Sequence, residues 1–201
     1  MENIKQSELK IEQIIDLMDL YVSQDHSHRN LHHPFIEEDY IIATDGYGMV
    51  VLDEDLYENE NVKVRDSPLD ALRLIRKEHN CDIILKASDL ESDKKDTIEE
   101  CEECDGEGTV EFEYASKNKT YYEDFACPIC DGEGQIGVEH QIKIVDRYMW
   151  LSEANRLLKA MSILEVDSAK IVYMPKKDLV CVVMIGDISF GFVTYETEVS
   201  K

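Results

Sequence analysis

Residues 101–108, CEECDGEG, and 127–134, CPICDGEG, repeat the pattern CxxCxGxG, with 22 residues between Cys104 and Cys127. A CxxC turn is tight enough to aim two sulfurs at one ion about 2.3 Å away, and two such turns match a closed tetrahedral zinc site. The glycines behind each pair allow positive φ and amide donation toward the sulfurs. Cys101, Cys104, Cys127 and Cys130 are therefore the candidate ligands of one zinc per chain. Two other readings are four unligated surface thiols and a redox-active CxxC pair, although catalytic thiols usually sit at a helix start after a strand. Four sulfurs leave no position open for a substrate, so the metal reads as structural and contributes folding energy.

Other chemistry-bearing residues carry less. His26, His28, His32 and His33 place four of the six histidines in one loop. No helical spacing presents their rings together, so the loop reads as solvated, with a second metal as the alternative. Asp45–Gly48, DGYG, contains a GxG between two short β-prone runs instead of at a helix start, which makes it a hairpin turn and not a dinucleotide fingerprint. No nucleophile–base pair, phosphate-cradling loop or carboxylate pair exceeds what 44 acidic residues yield by chance, so the expectation is a protein without enzymatic activity. Cys81 and Cys181 fall in strand-like apolar runs and read as small hydrophobes. Arg73, Arg76 and Lys77 share one face of a predicted helix, and Arg156 and Lys159 share a face of another. These stripes are candidate phosphate contacts, against the alternative of solvated faces balanced by nearby acids.

The elements that must position these residues follow from periodicity. Apolar residues from Ser7 to Val22 recur at helical steps, with Ser7 as N-cap. Phe35–Ile36, Tyr40–Ala43 and Met49–Leu52 read as an antiparallel meander. Ser67 and Pro68 open a second helix ending near Asn80, and Asp82–Leu85 reads as a strand. Residues 91–133 carry 15 Asp and Glu against four Lys, which is −11 of the total −23, and almost no aliphatic core material. This region is a candidate inserted module, 91–134, within a body of residues 1–90 and 135–201. Inside it, Val110, Phe112 and Tyr114 alternate, as do Tyr122 and Asp124 beyond a turn at 116–119, so a β-hairpin joins the two cysteine pairs. Ile136–Val145 then reads as a strand, Ser152–Met161 as a helix, and Lys170–Met174, Leu179–Ile185 and Ser189–Tyr195 as three strands.

The CxxCxGxG region resembles the cysteine-rich zinc domain of DnaJ-type chaperones. It has two knuckles where that family has four, which implies one zinc, and no His-Pro-Asp signature of a J-domain is present. Separately, Tyr40–Val51, YIIATDGYGMVV, looks like the strand–turn–strand of bacterial DNA sliding clamps, with Gly48 where a basic residue is usual. The C-terminal order β-α-β-β-β is similar to the half-unit of the same fold, and the first half supplies an α-β-β-β partner. The resemblance implies an α+β body of antiparallel sheet with two or three helices, related by a pseudo-twofold. It also implies helices turned toward DNA, where the basic stripes lie, and a ring of about six copies if duplex is to be encircled.

With 201 residues the chain is long enough for one domain and a small module. Its longest apolar runs fall far below the roughly 20 residues that span a bilayer, and its first ten residues lack a basic segment followed by an apolar one, so a cytoplasmic protein is expected. The charge of −23 opposes a general phosphate-neutralising surface and restricts any duplex contact to a local patch. The favoured reading is a non-enzymatic zinc protein acting in DNA metabolism, of bacterial or phage origin, with a protein partner and weak duplex binding. The alternative is an acidic module that imitates DNA or captures a basic protein.

Overall fold

Ile14, Leu17, Met18 and Tyr21 recur at three- and four-residue steps and form the buried face of helix α1 (Ile11–Tyr21). They belong to a computed structural model that describes residues 5–23, 31–54, 71–91, 97–117, 119–176 and 180–196. The expected start at Ser7 is corrected: a separate 3-10 turn, Gln6–Glu8, precedes the helix. Gln6 accounts for the break. Its amide donates to Asp187 Oδ1, its side-chain nitrogen to the Asp187 carbonyl, and its Oε1 accepts from the Asp53 amide, each at 2.8 Å.

Strands β1 (Phe35–Glu37), β2 (Tyr40–Thr44) and β3 (Gly48–Asp53) form the expected meander. Helix α2 (Ala71–Ile75) ends five residues earlier than the sequence suggested, and the residues expected to open it lie outside those described. β4 (Ile83–Lys86) leads into a short helix, α3 (Ala87–Leu90), that periodicity did not reveal. Strands β5 (Thr97–Glu100), β6 (Thr109–Ser116), β7 (Lys119–Ala126) and β8 (Gln135–Val138) make up a second unit. The chain then continues through β9 (Gln141–Ile144), β10 (Arg147–Trp150), α4 (Leu151–Ile163), β11 (Ser168–Tyr173), β12 (Val180–Ile185) and β13 (Ile188–Val193). One unit is Met1–Asp93 with Gln141–Val199, and the other is built around Lys94–His140. The strand read as Ile136–Val145 is thus two: β8 pairs with β5 in the second unit, and β9 pairs with β10 in the first.

The larger unit is a seven-stranded antiparallel sheet in the order β1-β2-β3-β13-β12-β11-β4. The order is nearly a palindrome. The third strand of α1-β1-β2-β3 pairs with the third strand of α4-β11-β12-β13, so two equivalent half-units meet at β3 and β13. Alternation along each strand separates the faces. Ile41, Ala43, Val50, Leu52, Phe190 and Phe192 point to the side covered by α1 and α4. Ile42 and Val51 point to the other side, where Phe35, Ala71 and Leu72 cover them.

Candidate functional site

The four cysteines come together by an internal repeat. The Cys101 amide donates to the Gly134 carbonyl and the Cys127 amide to the Gly108 carbonyl, both at 2.9 Å, so each knuckle closes on the tail of the other. Within a knuckle, Gly106 donates to the Cys101 carbonyl and Gly132 to the Cys127 carbonyl, through a residue at positive φ, Asp105 or Asp131. Gly108 and Gly134, at φ +76° and +74°, cross so closely that a Cβ on Gly108 would strike the Gly132 carbonyl, and one on Gly134 the Gly106 carbonyl. Their amides donate at 3.2 Å to Cys104 Sγ and Cys130 Sγ.

All four sulfurs are buried and lie within 4.8 Å of one another. A tetrahedron with metal–sulfur bonds of about 2.3 Å has sulfur–sulfur edges of about 3.8 Å. Cys101–Cys127 and Cys104–Cys130 are 3.8 and 3.7 Å apart, and all four cysteines are free of disulfides. The donor set therefore fits a metal ion, with Val110 and Ile136 packed against it. Burial pushes the Cys101 thiol up, and the Cys104 thiol up to about 11, outweighing the Gly108 amide. At Cys130 burial is overcome by the Gly134 amide and by neighbouring thiols, leaving it at about 7. The amide donation and the close approach of the four thiols suit a cluster that sheds protons to solvent when it binds a cation.

The basic residues are not brought together. Arg73, Arg76 and Lys77 on one helix, and Arg156 and Lys159 on another, were expected on helices turned together toward DNA, and this is corrected: α4 packs on the α1 face of the sheet and α2 on the opposite face. Because α2 ends at Ile75, Arg76 and Lys77 lie beyond it. Arg76 pairs with Glu38 at 2.6 Å and covers the Tyr40 ring, while Lys77 lies over the Tyr173 ring. Arg73 and Lys159 are exposed.

Arg156 is a structural cation. Its guanidinium reaches Asp45 Oδ2 at 2.7 Å and Glu153 Oε1 at 3.2 Å, lies over the Tyr21 ring, and is 19% exposed. Asp45 accepts the Tyr47 and Gly48 amides through its other oxygen. Burial raises the Asp45 pKa, but Arg156 and those amides outweigh it and hold the carboxyl below its ordinary value. Burial and the Glu153 charge push the Tyr21 hydroxyl well up. A Cβ at Gly48 would strike Glu153 Oε2 and crowd the Arg156 guanidinium and the Tyr21 ring, so a side chain there would have to displace the cluster. The DGYG turn is thus both the expected hairpin turn and one end of a buried ion cluster that sequence spacing did not reveal.

His32 Nδ1 donates to the Ser23 carbonyl at 2.8 Å and His33 is exposed, whereas His26 and His28 lie outside the described residues. Among the described residues the four cysteines are the group that could hold a metal ion. Cys181 is buried on β12, its thiol pushed up to about 12 by burial, and Cys81 precedes β4 with its Sγ donating to the Ile171 carbonyl. No helix among the described residues is long and apolar enough to cross a membrane.

No family model and no curated protein sequence matches the chain. Among solved structures it is similar to the DNA polymerase III beta subunit of Borrelia burgdorferi, solved in complex with a natural product, with a TM-score of 0.50 and 11% identity. The match covers 96% of this chain and 62% of that one, so this chain spans less than two thirds of its neighbour's length. The likeness establishes the fold class: an α+β, clamp-like arrangement of helices on a mainly antiparallel sheet.

Proposed function

We propose that this chain is a non-enzymatic binding protein of DNA metabolism that holds one structural zinc and captures a basic protein partner. The observation that carries the reading is the separation of charge. The cations expected to meet DNA lie on opposite faces of the sheet or in ion pairs, while −11 of the −23 sits in residues 91–133 around the cysteines. Such a surface repels phosphate and attracts lysine and arginine. The clamp-like fold supports placing the partner in DNA metabolism. Zinc is assigned from the four-sulfur donor set and its spacing, with Cys101, Cys104, Cys127 and Cys130 as ligands.

Fluorescence anisotropy with an oligo-lysine peptide and a duplex DNA fragment at about 20 mM salt tests the reading. The expected result is salt-dependent peptide binding without duplex binding. Duplex binding that charge reversal at Arg73 and Lys159 removes would restore the DNA-contact reading instead.

A further inference from the structure

β6 and β7 form an eight-pair ribbon; one face gathers four aromatic rings, and the other carries three carboxylates and one exposed ring, Tyr122. Cross-strand partners share a face. One face carries Val110 opposite Phe125, Phe112 opposite Glu123, and Tyr114 opposite Tyr121. Phe112 and Phe125 meet edge to face at 5.5 Å, and Tyr114 and Tyr121 stack at 5.0 Å. These rings are not a core: Phe112 is 51% exposed, Tyr114 55%, Tyr121 43% and Phe125 48%. Phe112, Phe125, Ala126 and Pro128 line an open apolar depression of about 320 Å³. The other face places Glu111 directly opposite Asp124, a like-charged pair that opposes hairpin formation and that a cation would relieve.

We propose that the aromatic face of the β6–β7 ribbon docks a segment of a partner protein in which arginines alternate with large apolar side chains. This deepens the proposed function and rests on its basic partner. An apolar side chain fills the depression beside Phe112 and Phe125, as aromatic anchors do at interfaces. The next side chain on the same face of the segment, an arginine, pairs with Glu123 and lies over the stacked Tyr114 and Tyr121 rings, where a guanidinium gains both contacts. Glu111, Glu113 and Asp124 on the reverse face of the same ribbon add a field of the matching sign. Single-stranded nucleic acid also stacks on aromatic rows, but such grooves are positively charged, and this module is strongly negative.

The test uses the full chain loaded with zinc and two labelled peptides of equal charge, one alternating arginine with leucine and one alternating arginine with serine. The arginine–leucine peptide is expected to bind at least about tenfold more tightly, and the double variant Phe112→Ser/Tyr121→Ser to erase that difference. Zinc content and circular dichroism check that this variant folds. Glu123→Lys leaves every ring in place and is expected to weaken the arginine–leucine peptide several-fold, giving a second reading should the double variant misfold. If the two peptides bind equally to the unaltered protein, capture of a basic partner stands and the aromatic docking face falls. If neither binds, both fall. Oligo-dT binding lost in the double variant, or a dimer that the double variant dissociates, would overturn the proposal in favour of bases or of a second copy.

Discussion

Arg156 holds two carboxylates at once, Asp45 at 2.7 Å and Glu153 at 3.2 Å. Its spacing from Lys159 placed both on one helix face, yet its partners are a carboxylate one turn away and another 111 residues distant, Asp45. Helical periodicity reports the first neighbour and is silent about the second. Removing the guanidinium leaves Glu153, 3% exposed, and Asp45 without their cation. Arg156→Ala is therefore expected to cost about 3 kcal/mol in urea unfolding, and Arg156→Lys less, because an ammonium keeps the charge but loses the fork that spans two carboxylates. Because the Asp45 carboxyl is held below its ordinary value of 3.8, the folded state binds its proton less readily than the unfolded one. Its stabilisation is fully present above that value and is lost as the pH falls below it. Asp45→Asn should remove this acid-limb dependence, which urea titrations between about pH 5 and 2.5 would detect. An unchanged acid limb in Asp45→Asn would show that the ion cluster does not stabilise the fold.

The cysteine knuckles were legible because their signal is local: two thiols and two glycines within eight residues determine the turn, and the hairpin between them follows from alternation. The break between β8 and β9 was not, since Ile136, Val138, Ile142 and Ile144 all fall on one alternating phase and only the partners, β5 on one side and β10 on the other, divide it. α2 stopped early for a different reason: residues 76–80, RKEHN, carry no apolar side chain to hold a helix face against the sheet, and the Lys77 amide turns to the Ile75 carbonyl, outside the helical bonding pattern. The exposed ribbon rings were visible in sequence as alternating aromatics, but nothing there said that no core would cover them. The four-sulfur centre makes its own predictions. With Cys101 and Cys104 held protonated near neutral pH, zinc binding must displace their protons. Calorimetry at pH 7 in two buffers of different ionisation enthalpy is expected to report more than one proton released per zinc. Affinity should fall as the pH is lowered, as protons compete for the sulfurs. Gly134→Ala, whose Cβ would strike the Gly106 carbonyl, is expected to lose zinc much as Cys104→Ser does. Both variants should leave the main unfolding transition in place, because the body's core cluster draws no residue from 97–140. Loss of the body's transition in either variant would mean that the two units fold as one.

At the scale of the molecule, the two half-units were readable from the repeated order of helix and strands. Which strands join them, β3 and β13, was not readable, because every strand of both halves is apolar enough to pair. The side of the sheet on which α2 packs was not readable, because Ile42 and Val51 are as apolar as Ile41 and Val50 and the sheet is buried on both faces. That placement decides the electrostatics, since it sends the α2 cations away from those of α4. It also bears on assembly. A ring of copies joined edge to edge would have to use β1 and β4, the outer strands, which are three and four residues long. The Glu37 carboxylate at the β1 edge is already committed to the Ala71 and Leu72 amides, at 3.0 and 3.3 Å. Short edges offer few ladder bonds, and each copy brings a charge of −23 against the next. Light scattering at micromolar concentration and physiological salt is therefore expected to give the 23.2 kDa of one chain. Adding duplex DNA should leave that mass unchanged, whereas the arginine–leucine peptide should raise it by one peptide. A mass near six chains, with or without duplex, would show that the clamp-like body closes into a ring after all and that its short edge strands suffice to join copies.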